Sequence, residues 1–189
     1  MANIMTHSTG TMMSNPDEVR ALFSVTDADL AALKQLGERV TPKMDEFVKA
    51  FYTWLRTLPE FDVYFPDQRM VDHVEELQRA YWLEVFAAEI DQAYFNRRLT
   101  VGETHARIGL PLGIYFSAMN RATILFTGEL YDGSLDAETY AASVLALNKV
   151  SSMDTALVVD TYARISNEAA AAQSNALMEM STPVTQIWE

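Results

Sequence analysis

The sequence contains no cysteine. That excludes disulfides, iron–sulfur clusters, cysteine-rich zinc sites, thiolate metal ligation and cysteine nucleophiles together. Histidine is nearly as scarce, and any imidazole chemistry must come from His7, His73 or His105. Positive charge is thin: 14 Lys and Arg stand against 26 Asp and Glu, for a net charge of −12. Such a surface repels phosphate backbones and anionic lipid, which argues against nucleic acid or a membrane as partner. No run approaches the roughly 18 apolar residues of a transmembrane helix. The first 15 residues lack the basic start and apolar core of a signal peptide and read as a disordered leader, so a cytoplasmic location fits. Seven glycines leave little room for phosphate cradles. Neither G-x-S-x-G, a P-loop, H-E-x-x-H, a Gly-rich dinucleotide turn nor a Glu-x-x-His pair occurs, so the chain reads as something other than an enzyme.

What is present is helix. Hydrophobic residues make up 49% of the chain, enough for a buried core. Asn15-Pro16-Asp17-Glu18 has the cap, the first-turn proline and the acids of a helix start. Thr26-Asp27-Ala28-Asp29 opens a second helix, to about Val40, and Thr41-Pro42 a third with Met44, Phe47, Val48, Phe51, Tyr52 and Leu55 on one face. Leu58-Pro59 ends that helix and Phe65-Pro66 leads into another, striped by Val71, Val74, Leu77, Tyr81, Trp82 and Val85. Helices from about Asp91 to Gly109 and from Pro111 to about Tyr131 follow. The spacing predicts an all-α domain.

The last helix is unusual, because no proline or glycine interrupts the 45 residues from Asp136 to Met180. At about 1.5 Å per residue it outreaches a domain of this size. Its first half is apolar on more than one face, which predicts burial against its own core and against a second subunit. Residues 166–182 read as a helical linker. Pro183 is expected to stop the helix, and Val184–Trp188 alternates like a β-strand. Residues 183–189 are accordingly expected to begin a truncated second domain, behind a sensor-sized domain at 16–165.

Three side chains stand out. His105 shares a helix face with Val101 and Ile108 and points toward the core, where it is either a satisfied core residue or a ligand. His73 lies off its stripe among Asp72, Glu75 and Glu76, a solvated position. Tyr52 lies within an apolar stripe, so its hydroxyl needs a buried partner, most simply a backbone carbonyl; the same holds for Tyr81 and Tyr115.

Val101-Gly102-Glu103-Thr104-His105-Ala106-Arg107-Ile108-Gly109-Leu110-Pro111, followed by Tyr115, resembles the proximal haem motif of globin-coupled sensors. Phe51-Tyr52, with Tyr52 lying 53 residues before His105, is similar to the distal Phe-Tyr pair of that family. The resemblance spans about residues 16–165. Residues 178–189 are similar to the start of a STAS domain in stressosome sensors of the Rsb-R type. The resemblance implies a globin fold with a long C-terminal helix, and one haem b (iron protoporphyrin IX). His105 would be the proximal iron ligand, Tyr115 would contact its imidazole, and Tyr52 would donate a hydrogen bond to O2. Phe51, Leu55, Val74, Leu77 and Tyr81 would wall the distal side, with Val101 and Ile108 on the proximal side. At position 77 some members carry threonine, and leucine leaves Tyr52 as the main distal donor. The resemblance further implies an O2 sensor that also takes CO and NO. It would be a homodimer through its last two globin helices and would signal to stressosome proteins through the C-terminal domain. A haem-free globin scaffold and an O2-reacting globin remain the alternatives.

Overall fold

The computed structural model describes Met13, residues 15–130 and residues 133–185, with side chains through Gly128 and from Gly133 to Met178. Among these residues there are eight α-helices and no strand. They are α1 (Pro16–Leu22), α2 (Asp27–Val40), α3 (Met44–Leu55), α4 (Phe61–Tyr64), α5 (Gln68–Ala87), α6 (Gln92–Arg107), α7 (Leu112–Leu130) and α8 (Ala137–Thr185), with a 3-10 turn at Thr41–Lys43 before α3.

Local chemistry explains most of the boundaries. The Asn15 side chain accepts from the Asp17 amide at the start of α1. Thr26 and Asp29 form a reciprocal capping box on α2. Asp67 and Asp91 accept from the third-residue amides of α5 and α6. Beyond Arg107 the chain reverses through Gly109, whose φ of +68° suits a residue without a Cβ. The Gly109 amide donates to the Ala106 carbonyl and the Leu110 amide to the His105 carbonyl, the paired bonds of a Schellman turn.

The helices pack around α8. Helices α2, α6 and α7 lie on it, α2 also packs on α5, and α3 sits between α5 and α7. Phe126 of α7 gathers Phe47, Trp82 and Phe86 at ring separations of 4.8, 4.7 and 4.9 Å, forming the aromatic heart of the core. Helix α6 rests on α8 and packs closely on neither α3 nor α5. The interval between α6 and those two helices, which little backbone packing bridges, is termed the slot.

Helix α8 is 49 residues long, about 74 Å. Ala146, Leu147, Val150, Met153, Leu157 and Val158 are fully buried along it. From Ser166 to Met178 every side chain is exposed, as a projecting stalk requires.

Two sequence expectations need correction. The helix continues through Pro183 to Thr185, placing the first two residues of the predicted strand in helical backbone; residues 186–189 lie outside the described ones. Pro183 forfeits a backbone donor and crowds the carbonyl one turn earlier, and the helix ends two residues later. Of the leader, residues 1–12 and 14 lie outside the described residues, whereas Met13 is buried against the core and Asn15 caps α1. No described helix is long and apolar enough to cross a membrane.

Candidate functional site

His105 lies in the last turn of α6, half-buried. Its Nδ1 is 2.7 Å from the carbonyl oxygen of Val101, one turn earlier. A carbonyl can only accept, so Nδ1 carries the proton and Nε2 presents a free lone pair. Burial lowers the proton affinity of the imidazole below its ordinary value, against the pull of the Val101 carbonyl. The ring is thus neutral, aimed and available as a metal ligand. The Schellman turn brings the start of α7 back beneath it, and the Tyr115 ring meets the imidazole edge to face at 5.4 Å. The Tyr115 hydroxyl is buried beside the Thr155 side chain and bonds to no backbone carbonyl.

Across the slot, Phe51 and Tyr52 project from α3 with their rings edge to face at 5.6 Å, and Phe65 closes on Tyr52 at 6.0 Å. Tyr52 is only 3% exposed. Burial, and then the nearby Glu75 carboxylate, push its phenol well above the ordinary value, so it stays protonated. Its hydroxyl hydrogen-bonds to none of the described residues. The sequence expectation of a backbone carbonyl partner is thereby corrected for both Tyr52 and Tyr115. No hydrogen bond or ring contact joins Tyr52 to His105, and the two belong to opposite walls. Tyr64 of α4 donates to the Gly109 carbonyl at 3.4 Å and ties the distal side to the turn after α6.

The other predicted wall residues divide. Phe51 is buried, and Leu55, Val74, Tyr81 and Val101 are half-buried. Leu77 and Ile108 are 55% and 53% exposed. Ile108 does not extend the core-facing stripe of His105, because α6 ends at Arg107 and Ile108 already belongs to the turn. Tyr81 finds a carboxylate rather than a carbonyl, donating to Asp154 at 2.8 Å. His73 is exposed, as its off-stripe position predicts, and is not part of the slot. His7 lies outside the described residues.

Sequence reasoning missed a buried polar cluster beside the slot. Asp154 of α8 is fully buried and accepts from Tyr81 of α5 and from Tyr94 and Arg98 of α6. Its signal was present, a carboxylate among the apolar residues Val150, Met153, Leu157 and Val158 of α8. Among the described residues no group of carboxylates and histidines could cage a metal by itself.

Comparison with known proteins agrees with this architecture. Residues 12–168 match the protoglobin family. The globin domain of the Geobacter sulfurreducens globin-coupled sensor superposes with a TM-score of 0.72 at 20% identity, covering 77% of this chain and 96% of that one. The globin domain of E. coli DosC superposes with TM-scores of 0.65 in its ferrous form and 0.62 in its ferric form, both at 16% identity. The ferrous comparison covers 76% of this chain and 96% of that one, the ferric comparison 79% and 97%. The chain belongs to the protoglobin family, with the globin fold of globin-coupled sensor domains.

Proposed function

We propose that this domain is a haem-based O2 sensor rather than an enzyme, with His105 as the iron ligand and Tyr52 as the gas-binding donor. One observation carries the reading: a neutral imidazole oriented by the Val101 carbonyl faces a slot whose opposite wall holds an unpaired, protonated tyrosine. The residues fit a haem b. The donor set is a single neutral imidazole, the walls are apolar, and the half-exposed Leu77 is a surface that a macrocycle would cover.

Haem iron, when bound, supplies reversible binding of O2, CO and NO. The Val101 carbonyl holds the His105 ring in one tautomer and raises the basicity of Nε2. Tyr115 restrains the ring from the edge. Tyr52 would donate its hydroxyl hydrogen to a gas that acquires partial negative charge when the haem holds it, as O2 would; CO, nearly apolar, would gain less. Phe51, Leu55, Val74, Leu77 and Tyr81 exclude water on the distal side, and Val101 and Ile108 flank the proximal side.

Transmission runs to α8, on which α6 rests. The outer face of α7 and α8 suits a homodimer in a four-helix arrangement. A groove of about 470 Å³ lies there, lined by Phe116, Met119, Thr123, Thr155 and Val159 among others. Leu145, Asn148, Ser152, Thr155 and Val159 follow one another at alternating spacings of three and four residues along α8. The similarity of residues 178–189 to the start of a STAS domain, and the exposed stalk leading there, support a stressosome output in the cytoplasm.

An absorption spectrum tests the reading. Purified protein should show a Soret band that moves between the reduced, O2 and CO states, and His105→Ala should abolish it. A wild-type protein that takes up no haem would leave the globin-fold scaffold as the surviving account.

A further inference from the structure

Beside the slot lies a buried ionic cluster that shares Tyr81 with the distal wall. Asp154 and Arg98 are 0% and 1% exposed. The Asp154 carboxylate accepts from the Tyr81 hydroxyl at 2.8 Å, from the Tyr94 hydroxyl at 2.7 Å and from Arg98 Nε at 2.9 Å. The Arg98 guanidinium lies between the rings of Tyr81 and Tyr94, 4.1 and 3.8 Å from their centroids. Its outer nitrogen donates to Glu84 at 2.7 Å. Three helices thus meet on one carboxylate.

We propose, building on the haem reading above, that Asp154 is a positioning residue: by drawing Tyr81 of α5 and Tyr94 and Arg98 of α6 onto one carboxylate, it sets the width and angle of the slot between those helices. Helical spacing carries the argument. Val101 and His105 follow Arg98 by three and seven residues, which puts them on its face of α6. Leu77 and Val74 precede Tyr81 by four and seven residues, which puts them on its face of α5. Both walls therefore run out from the clamp; the other tie between α6 and α5 is the half-exposed Arg97–Glu84 ion pair at 2.8 Å, next to the clamp rather than along the walls. Helix α6 has a second hold on α8, where Gly102 approaches the Val158 carbonyl and Thr161, but that hold does not reach α5.

Cohesion alone does not explain the cluster. Removing Arg98 and Asp154 from water is costly, and apolar side chains of similar volume hold helices together as well or better. What an ionic cluster adds is direction, because three donors converging within 2.9 Å fix the angle at which the helices splay.

Two variants separate positioning from stability. Tyr94→Phe keeps the volume and removes one donor, and Arg98→Met/Asp154→Leu replaces the ion pair with apolar chains. Each is compared with wild type by thermal melting, by amide hydrogen exchange of residues 99–107 in the haem-free protein, and by the rate of haem transfer to excess apomyoglobin. We expect melting close to wild type, faster exchange in 99–107 but not in α2, and haem loss roughly ten-fold faster, as when a group supporting a metal ligand is removed. Wild-type exchange and haem retention in Tyr94→Phe overturn the proposal, even if the double variant fails to fold. If wild type itself takes up no haem, the sensor reading fails, and the exchange comparison still decides the clamp.

Discussion

Tyr52→Phe separates function from stability in one substitution. Tyr52 is 3% exposed, and its hydroxyl reaches no described partner. A fully buried unpaired polar group costs about 1–3 kcal/mol, an upper bound for this hydroxyl, which is not wholly sealed from solvent. The slot beside it offers partial relief, so removing the hydroxyl should stabilise the haem-free protein by up to about 1 kcal/mol, raising its melting temperature by about 2–4 °C at this size. Most core substitutions do the reverse, costing about 1 kcal/mol or more. In the haem-loaded protein the same change removes a charge-assisted hydrogen bond to dioxygen worth about 1.5–3 kcal/mol. At 1.36 kcal/mol per decade, O2 release should accelerate roughly ten- to hundred-fold, while CO release changes far less. The assays are calorimetry on the haem-free protein and stopped-flow release of each gas. A destabilised haem-free variant would show that the hydroxyl is paired, and equal acceleration of O2 and CO would show that it is no donor; either refutes the reasoning.

Other perturbations follow from the same structure. In Gly102→Ala the new Cβ would stand 2.8 Å from Thr161 Cβ and 3.0 Å from the Val158 carbonyl oxygen. Overpacking of about 1–3 kcal/mol should outweigh a helix-propensity gain of about 0.5–1 kcal/mol, so calorimetry should show a lower melting temperature; a rise would contradict the close approach of α6 to α8. Burial tends to raise the Asp29 carboxyl, but hydrogen bonds from Lys149 and Thr26 hold it below its ordinary 3.8. That stabilisation is present above the unfolded value and is lost as pH falls through the folded one. Asp29→Asn should therefore be less stable than wild type by roughly 1 kcal/mol at neutral pH, with the gap closing in acid; an undiminished gap at low pH would refute the assignment. Phe116 and Leu145, 50% and 58% exposed on the outer face of α7 and α8, are predicted to hold the dimer. Light scattering should find a dimer for wild type and a monomer for Phe116→Asp/Leu145→Asp, and a wild-type monomer would remove the proposed interface.

Much of the fold is legible in local sequence, because its boundaries are set by chemistry within a few residues. Asn15, Thr26 and Asp91 mark helix starts through side chains that bond their own first turn. The candidate site was legible through resemblance rather than spacing: the Val101–Pro111 segment and Phe51-Tyr52 resemble the haem motifs of globin-coupled sensors. The misses at Asp154 and Met13 share one physical origin, partners distant in sequence, and that at Ile108 is local. Asp154 lies 56 residues from Arg98 and 73 from Tyr81, and its role exists only once three helices cross. Met13 reads as leader until the core it packs against is assembled. Ile108 has the right period for the face of His105, but the period ends where Gly109 turns the chain. The exposed face of α8 is the opposite case: its stripe is legible in the sequence, and the proposed occupant is a second copy of the chain.

The central claim is that the Nε2 atom of His105 is the ligand on which the haem depends. The most direct test replaces that side chain with a hole and returns the imidazole from solution. Haem titrated into the haem-free wild-type protein should saturate at one haem per chain. His105→Gly should fail to develop the Soret band alone and recover it on addition of free imidazole. A His105→Gly protein that binds haem as wild type does, without imidazole, would contradict the account.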